Sequence, residues 1–115
     1  MELHSHYEGQ LKDNDFCIDT KNVEKVAALF QLISDPTRLK IFVLLSHSEE
    51  CVNNIAYYVQ MSAPAVSHHL RLLKQANLIE AQRKGKEMYY RLADAPEAAQ
   101  LHYSVDNMFE IRCVK

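Results

Sequence analysis

Apolar residues recur at helical spacing in the first part of the chain and predict two helices there. Thr20 or Asn22 is a suitable N-cap for the first helix. Asp35 and Pro36 begin the second helix, because Asp is a good N-cap and Pro fits the first helical turn. This helix ends near residues 46–48. The apolar face of the first helix consists of Val23, Val26, Ala27, Phe30 and Ile33, and the buried side of the second consists of Leu39, Phe42, Val43 and Leu45.

The next two helices are predicted to lie on either side of a tight turn. Residues 51–59 form the first of them, and the turn falls at Gln60 and Met61. Ser62 caps the second helix, with Pro64 in its first turn. A short helix, a turn and a helix with a polar outer face form the helix-turn-helix arrangement. The second helix turns Val66, Leu70 and Leu73 inward and Pro64, Ser67, His68 and Arg71 outward.

A basic β-hairpin is predicted after this helix. Two β-type runs, residues 78–83 and 87–92, flank a turn at Gly85. A hairpin in this position is a wing, and three cations lie near its tip: Arg83, Lys84 and Lys86.

The two ends of the chain differ in character. Residues 1–20 are polar and interrupted, so we expect a flexible N-terminal arm or a weak first helix, and residues 21–115 then form one winged helix-turn-helix domain. The domain closes with a helix from Ala95 to about Phe109, whose apolar stripe exceeds what one small domain can cover and predicts a dimerisation helix. The stripe consists of Ala98, Leu101, Val105, Met108 and Phe109.

Charge is concentrated where the helix and the hairpin are predicted. The whole chain carries a net charge of −2, but residues 62–91 carry +4 and the remainder −6. Because phosphates respond to the local field, this distribution favours a nucleic-acid partner despite the acidic total.

Composition disfavours several other classes of protein. At 115 residues and 48% hydrophobic content the chain supports one small domain. No apolar run approaches the ~20 residues that span a bilayer, the N-terminus lacks the order of a signal peptide, and the three cysteines are widely spaced. We therefore expect a cytoplasmic protein without a membrane partner or disulfides. Phosphate-loop, HExxH and Ser/His/Asp motifs are absent from the sequence, so we expect neither an enzyme nor an organic cofactor.

Two spacings stand out in these elements: Asp-Pro-x-Arg at the start of DPTRLKIFVLLS, and Arg-x-Gly-x-x-x-x-Tyr within SAPAVSHHLRLLKQANLIEAQRKGKEMYYRL. Together these segments resemble the ArsR/SmtB family of bacterial winged-helix repressors, many of which sense metals. The resemblance covers roughly residues 22–110. It implies a mainly α-helical winged helix-turn-helix fold, with four helices, a β-hairpin and a fifth helix in chain order. It also implies a homodimer through the first and last helices, and binding to a double-stranded DNA operator that an effector relieves.

The second helix of the helix-turn-helix is expected in the major groove, and the wing along phosphates or the adjacent minor groove. Arg71 is the best candidate for a bidentate bond to guanine. His68 either contacts a base or phosphate or covers the helix junction, and a winged helix can also serve as a protein–protein module. The candidate DNA-binding residues are Ser62, Ala63, Pro64, Ser67, His68, Arg71, Arg83, Lys84 and Lys86.

The resemblance also implies a metal site near the third helix. In a motif of the type Glu-x-Cys-Val-x-Asp-Leu, Cys51 matches, but Asn53 and Asn54 replace potential ligands. A Cys/His set completed from the arm suits Zn²⁺ or another soft or borderline divalent cation as effector. The alternatives are that Cys51 is a buried small hydrophobe, or that it or Cys17 is an oxidisable thiol switch. The candidate metal ligands are His4, His6, Cys17 and Cys51.

A second site of this family lies on the last helix and is shared between subunits. Asp94 and Glu110 match its outer positions, whereas both inner positions lack the expected histidines. His102 and Asp106, four residues apart on one helical face, are either replacement ligands or a surface pair.

Overall fold

The computed structural model of the protein describes residues 17–109. Within that range, five helices and three strands follow in the order α1 (Thr20–Ile33), α2 (Pro36–His47), β1 (Glu50–Cys51), α3 (Val52–Val59), α4 (Ala63–Gln75), β2 (Ile79–Lys84), β3 (Glu87–Leu92) and α5 (Pro96–Phe109). Contacts divide the chain into two units, one ending at Phe30 and one beginning at Gln31. None of the helices in the described range is long and apolar enough to cross a bilayer.

Local capping explains where two of the predicted helices begin. The Asp35 carboxylate accepts a hydrogen bond from the Arg38 backbone N–H at 3.0 Å, and Pro36 is the first helical residue, as predicted. The predicted cap of α4 is also confirmed, because the Ser62 hydroxyl accepts from the Ala65 N–H at 3.3 Å.

The cap of α1 lies earlier than predicted. Asp19, not Thr20 or Asn22, performs this role. Its carboxylate accepts from the Lys21 backbone N–H at 3.0 Å, and its carbonyl accepts from the Val23 N–H at 3.0 Å. Asp, Thr and Asn are all good N-caps, so the pattern alone does not rank three candidates within four residues.

A short strand that the sequence pattern did not predict precedes α3. Strand β1 pairs antiparallel with β3, with Cys51 opposite Tyr89, and the sheet has the order β1-β3-β2. Cys51 is also the N-cap residue of α3, so this helix begins at Val52 instead of residue 51. A two-residue strand is too short to show alternation, and its partner strand lies more than 30 residues away in sequence. No local pattern therefore indicates it.

The predicted wing is confirmed as an antiparallel hairpin of β2 and β3. Its last pair is Lys84 opposite Glu87, which leaves a two-residue turn of Gly85 and Lys86. Gly85 has a φ of 67°, a left-handed conformation that glycine adopts without steric cost.

Helix α2 is buried on more of its circumference than one helical face. It contacts α3, α4, α5 and β3. Phe42 and Leu45 are buried as predicted, but Ile41 is also fully buried, although the one-face pattern omitted it. Leu39 and Val43, both predicted to be buried, are only half-buried. A helix with neighbours on several sides lacks the single apolar stripe on which such predictions depend.

The apolar stripe of α5 divides into a buried part and an exposed part. Ala98 and Val105 are buried within their own unit, whereas Met108 is 75% and Phe109 50% exposed. In the unit that ends at Phe30, three apolar side chains of α1 are about half exposed: Val23, Val26 and Phe30. Both helices therefore keep apolar surface in contact with water.

Candidate nucleic-acid interface

Helix α4 carries small and polar side chains over a buried apolar face. Val66, Leu70 and Leu73 are buried, as predicted from their spacing. The opposite face is available to a DNA groove. Of the predicted DNA-contacting residues in this helix and its cap, Ala63 is half-buried and the others are exposed: Ser62, Pro64, Ser67, His68 and Arg71.

Arg71 and His68 lie about one turn apart on this outer face and contact each other. Arg71 Nη2 is 3.0 Å from His68 Nδ1. Because a guanidinium only donates, Nδ1 is the acceptor and the His68 ring is neutral in this contact. Both side chains are exposed, so either can exchange this hydrogen bond for one to a base edge or a phosphate.

The neighbouring His69 faces inward and holds α4 against α2. It is 9% exposed, and Arg38 Nε donates to its Nδ1 at 3.1 Å. Arg38 Nη1 also donates to the Leu32 carbonyl at 2.7 Å. Burial lowers the pKa of His69, and the charge of Arg38 acts in the same direction, although Asp35 opposes them. His69 is therefore a neutral acceptor whose proton lies on Nε2.

The wing presents three exposed cations, and one of them is engaged within the protein. Lys84 Nζ is 2.6 Å from a carboxylate oxygen of Glu49 and 5.3 Å from the centre of the Tyr89 ring. Arg83 Nη1 donates to the Lys86 carbonyl at 3.5 Å, and within residues 17–109 neither Arg83 nor Lys86 forms an ion pair. Because its charge is paired with Glu49, Lys84 offers less net positive charge to a phosphate than Arg83 or Lys86.

A second cation within residues 62–91, the basic segment, is also paired. Arg91 Nη2 is 2.7 Å from the Glu80 carboxylate. The Asp94 backbone N–H and Arg91 both donate to this carboxylate and lower the pKa of Glu80. The net charge of the segment therefore does not identify which cations face DNA, because Lys84 and Arg91 already have partners.

Two exposed donors on the helix-turn-helix are further candidates for phosphate contacts. Lys74 lies on α4, three residues after Arg71, and Tyr57 on α3 is 87% exposed. The first helix of such a unit crosses the DNA backbone, where a phenol suits a phosphate oxygen. The sequence could have indicated Lys74, because its spacing of three residues places it near Arg71 on the helix. It could not have indicated Tyr57, because an aromatic residue in a short apolar helix is ordinarily assigned to the core.

The predicted cysteine ligands fall in different units. Cys17 is exposed and belongs to the unit that ends at Phe30. Cys51 is 7% exposed and lines a pocket of about 250 Å³ together with Glu87 and Met88. His4 and His6 lie outside the described residues.

Within residues 17–109, one cluster of three metal-ligand side chains is present, and it contains neither cysteine. It consists of His47, His102 and Asp106. The sequence had paired His102 with Asp106 as an alternative, and the structure adds His47 from α2. No sequence spacing indicates His47, because it lies 55 residues before His102.

The chain is similar to known regulators. The family model for bacterial regulatory proteins of the arsR family matches residues 35–81. Over 64 residues, which are 56% of this chain and 71% of the relative, the chain is 47% identical to the transcriptional repressor SdpR of Bacillus subtilis. Over 75 residues it is 41% identical to a cadmium resistance transcriptional regulatory protein CadC homolog of Staphylococcus aureus, covering 64% of this chain and 62% of that protein.

A solved structure extends the similarity to the whole fold. It is the homodimeric winged helix-turn-helix DNA-binding domain of a possible ArsR-family transcriptional regulator from Mycobacterium bovis. The TM-score is 0.68 at 31% identity, and the match covers 82% of this chain and 88% of that one.

Helices α3 and α4 with the β2–β3 wing define a winged helix-turn-helix protein, which confirms the predicted fold. The chain belongs to the ArsR family of bacterial transcriptional regulators, as the resemblance of its sequence implied.

The neutral state of His69 predicts a pH dependence of stability. Because the folded pKa lies below the ordinary value of ~6.5, the unfolded chain binds this proton more readily. The contribution of neutral His69 to the free energy of unfolding is therefore fully present above the ordinary pKa. The free energy of unfolding decreases as pH drops below it. We expect His69→Gln to show a smaller loss of unfolding free energy between about pH 7.5 and about pH 5.5 in urea titrations. The exposed His68→Gln controls for the replacement of an imidazole on the same helix. Equal slopes in the parent and His69→Gln would contradict the assignment.

Proposed function

We propose that this protein is a sequence-specific DNA-binding repressor that acts as a homodimer in the cytoplasm and leaves its operator when a divalent metal ion binds. The observation that carries the proposal is the exposure of Ser67, His68 and Arg71 on the outer face of α4, together with exposed Arg83 and Lys86 on the wing, which form no ion pair within residues 17–109. This arrangement matches the physical requirements of groove reading and phosphate contact.

The two parts of the surface have different roles in the proposal. Arg71 offers two parallel donors to a guanine edge, which is worth about 1–3 kcal/mol of discrimination. Arg83 and Lys86 contribute affinity that does not depend on sequence and decreases with salt. Lys84 contributes less, because its charge is paired with Glu49.

Exposed apolar side chains and a relative support the homodimer. Phe30 on α1 is 60% exposed and Met108 on α5 is 75% exposed. Large apolar groups at these exposures favour association. The similar Mycobacterium bovis domain is homodimeric. A two-fold axis allows two copies of α4 to enter successive major grooves ~34–36 Å apart.

The proposed effector is Zn²⁺ or a softer divalent cation bound by Cys51 and Cys17, with His4 and His6. Support comes from the relative named for cadmium resistance and from the pocket that Cys51 and Glu87 both line, since carboxylates as well as thiolates bind Zn²⁺. Cys51 is the N-cap residue of α3, without a capping bond from its side chain, and pairs with the wing strand. A metal at this thiolate therefore acts on the elements that read DNA.

DNA contacts are tested with a site selected from a random duplex pool. Arg71→Ala is expected to lose ~5–150-fold in discrimination between this site and random duplex. Lys86→Ala should weaken binding to both duplexes alike and reduce the slope of log affinity against log salt by about 0.9 per subunit, or about 1.8 for the dimer. Fluorescence anisotropy at several salt concentrations measures both quantities. The charge-matched Lys25→Ala, outside the basic segment, is the control.

Glu49→Gln tests the electrostatic argument in the opposite direction. Removing the carboxylate frees Lys84, so binding to random duplex should strengthen and its salt slope should steepen. The combination Glu49→Gln with Lys84→Ala should abolish that gain. If Arg71→Ala and Lys86→Ala both bind like the parent, the assigned surface is wrong.

The homodimer is tested with charges at the exposed apolar positions. Phe30→Glu and Met108→Glu should shift sedimentation from dimer to monomer and weaken operator binding. Val105 is unsuitable for this test, because it is buried within its own unit and a charge there disrupts folding. The exposed Gln75→Glu on α4 is a control for added charge and should remain dimeric. A stable monomer of the parent at concentrations that saturate DNA would contradict the proposal.

The metal response is tested by operator binding with Zn²⁺ or Cd²⁺ under reducing conditions. We expect the affinity of the parent for its operator to fall by ~5–150-fold when metal is added. The affinity for the metal should weaken as pH falls, because protons compete with the metal ion for the thiolates. Cys51→Ser and Cys17→Ser should abolish the response while metal-free DNA binding persists, and Cys113→Ser controls for loss of a thiol. Release by peroxide but not by metal would instead support the thiol switch.

A further inference from the structure

A side-chain cluster away from both cysteines brings three metal-ligand groups together on the contact between α2 and α5. His47 Nε2 is 3.0 Å from Asp106 Oδ2 and 3.1 Å from Oδ1. His102 Nδ1 is 3.5 Å from Asp106 Oδ2. The two imidazole rings are nearly perpendicular, at 77°, with centroids 5.1 Å apart. One ligand atom from each of the three residues lies within 4.8 Å of the others.

His102 supplies a second, independent indication of a ligand. Its Nδ1 is shielded from solvent and has no hydrogen-bond partner within residues 17–109, since the contact with Asp106 lacks hydrogen-bond geometry. A buried ring nitrogen without a partner carries a desolvation cost. A cation that accepts its lone pair removes that cost, and the Asp106 side chain beside it is only 13% exposed.

The distances suit a tetrahedral ion. Bonds of ~2.0–2.2 Å to imidazole nitrogen and carboxylate oxygen place neighbouring ligand atoms ~3.3–3.6 Å apart. The separations of Asp106 from His47 and His102, 3.0 and 3.5 Å, lie close to that range. The remaining separation, between the ligand nitrogens of the two histidines, is at most 4.8 Å. Binding of an ion requires a rotation that shortens it, and these side chains are 28% and 25% exposed.

We propose that His47, His102 and Asp106 bind one divalent cation of borderline hardness, such as Zn²⁺, Co²⁺ or Ni²⁺, within a single subunit. Two imidazoles and one carboxylate leave a fourth position for water. This donor set suits such ions better than Ca²⁺ or Mg²⁺, which prefer oxygen ligands, or Cu⁺, which prefers sulfur. The site shares no ligand with the proposed cysteine set and does not depend on it.

The site also has a structural route to the DNA-reading helix. His47 is the last residue of α2, and Arg38 near the other end of the same helix bonds to His69 of α4. A cation that joins His47 to α5 therefore restrains the helix that positions α4.

Titration of the full chain with Co²⁺, purified under reducing conditions without affinity-tag metal, tests the proposal. Tetrahedral Co²⁺ gives intense visible bands, and thiolate ligands add a near-ultraviolet charge-transfer band. The Cys17→Ser/Cys51→Ser variant should keep the visible bands and lack the charge-transfer band. In that background, His47→Ala and His102→Ala should each lower Co²⁺ affinity by about tenfold or more. Zn²⁺ should displace the Co²⁺.

Controls separate ligand loss from misfolding and from the cysteine site. Asn107→Ala, next to Asp106 but exposed, should bind Co²⁺ like its parent. Asp106→Asn keeps the side-chain volume and should also lose affinity, with the native circular dichroism spectrum retained. The proposal is overturned if the double cysteine variant binds no Co²⁺, or if its binding is unchanged by His47→Ala and His102→Ala. Operator binding of the same variants is scored separately, so failure of this site leaves the repressor proposal standing.

Discussion

A single guanidinium joins the helices on which the DNA-reading surface depends. Arg38 donates to the Leu32 carbonyl at the end of α1 and to His69 on α4, and its backbone N–H bonds to Asp35, the cap of its own helix. Its side chain is only 15% exposed, so these bonds form where water competes poorly. A lysine cannot replace it, because one ammonium lacks the planar fork that reaches two helices at once. The orientation of α4 thus depends on a buried polar contact as well as on apolar packing.

The hydrogen bond between Arg38 and His69 also gives two adjacent histidines different roles. His69 is buried, neutral and structural, while His68 is exposed and contacts Arg71. Neighbouring positions on a helix point about 100° apart, so two identical side chains experience opposite environments. One positions the helix, and the other belongs to the surface that the helix presents.

Local features of the fold could be predicted from the sequence, and contacts between distant segments could not. Asp35 and Ser62 cap helices within three residues of their partners, and Gly85 marks a turn inside one hairpin, so a short window contains the whole interaction. The pairs Lys84–Glu49 and His47–Asp106 join residues 35 and 59 positions apart. Their formation depends on the packing of whole elements, for which the sequence offers no spacing. The same limit explains why the sequence pattern does not reveal strand β1. It also explains why the sequence alone left Cys51 open between a metal ligand, a buried apolar residue and an oxidisable thiol.

The pairing of β1 with β3 has a mechanical consequence. Because Cys51 ends β1 and is the N-cap residue of α3, the backbone passes from the sheet into the first helix of the helix-turn-helix without an intervening loop. The wing and that helix therefore share one hydrogen-bonded frame, through the pairs of Glu50 with Tyr90 and Cys51 with Tyr89. A hairpin held only at its base can swing freely, whereas this one carries the adjacent helix with it. The distance between α3 and the paired part of the wing is consequently a stiff dimension of the molecule, and bending or narrowing of the DNA must adapt to it.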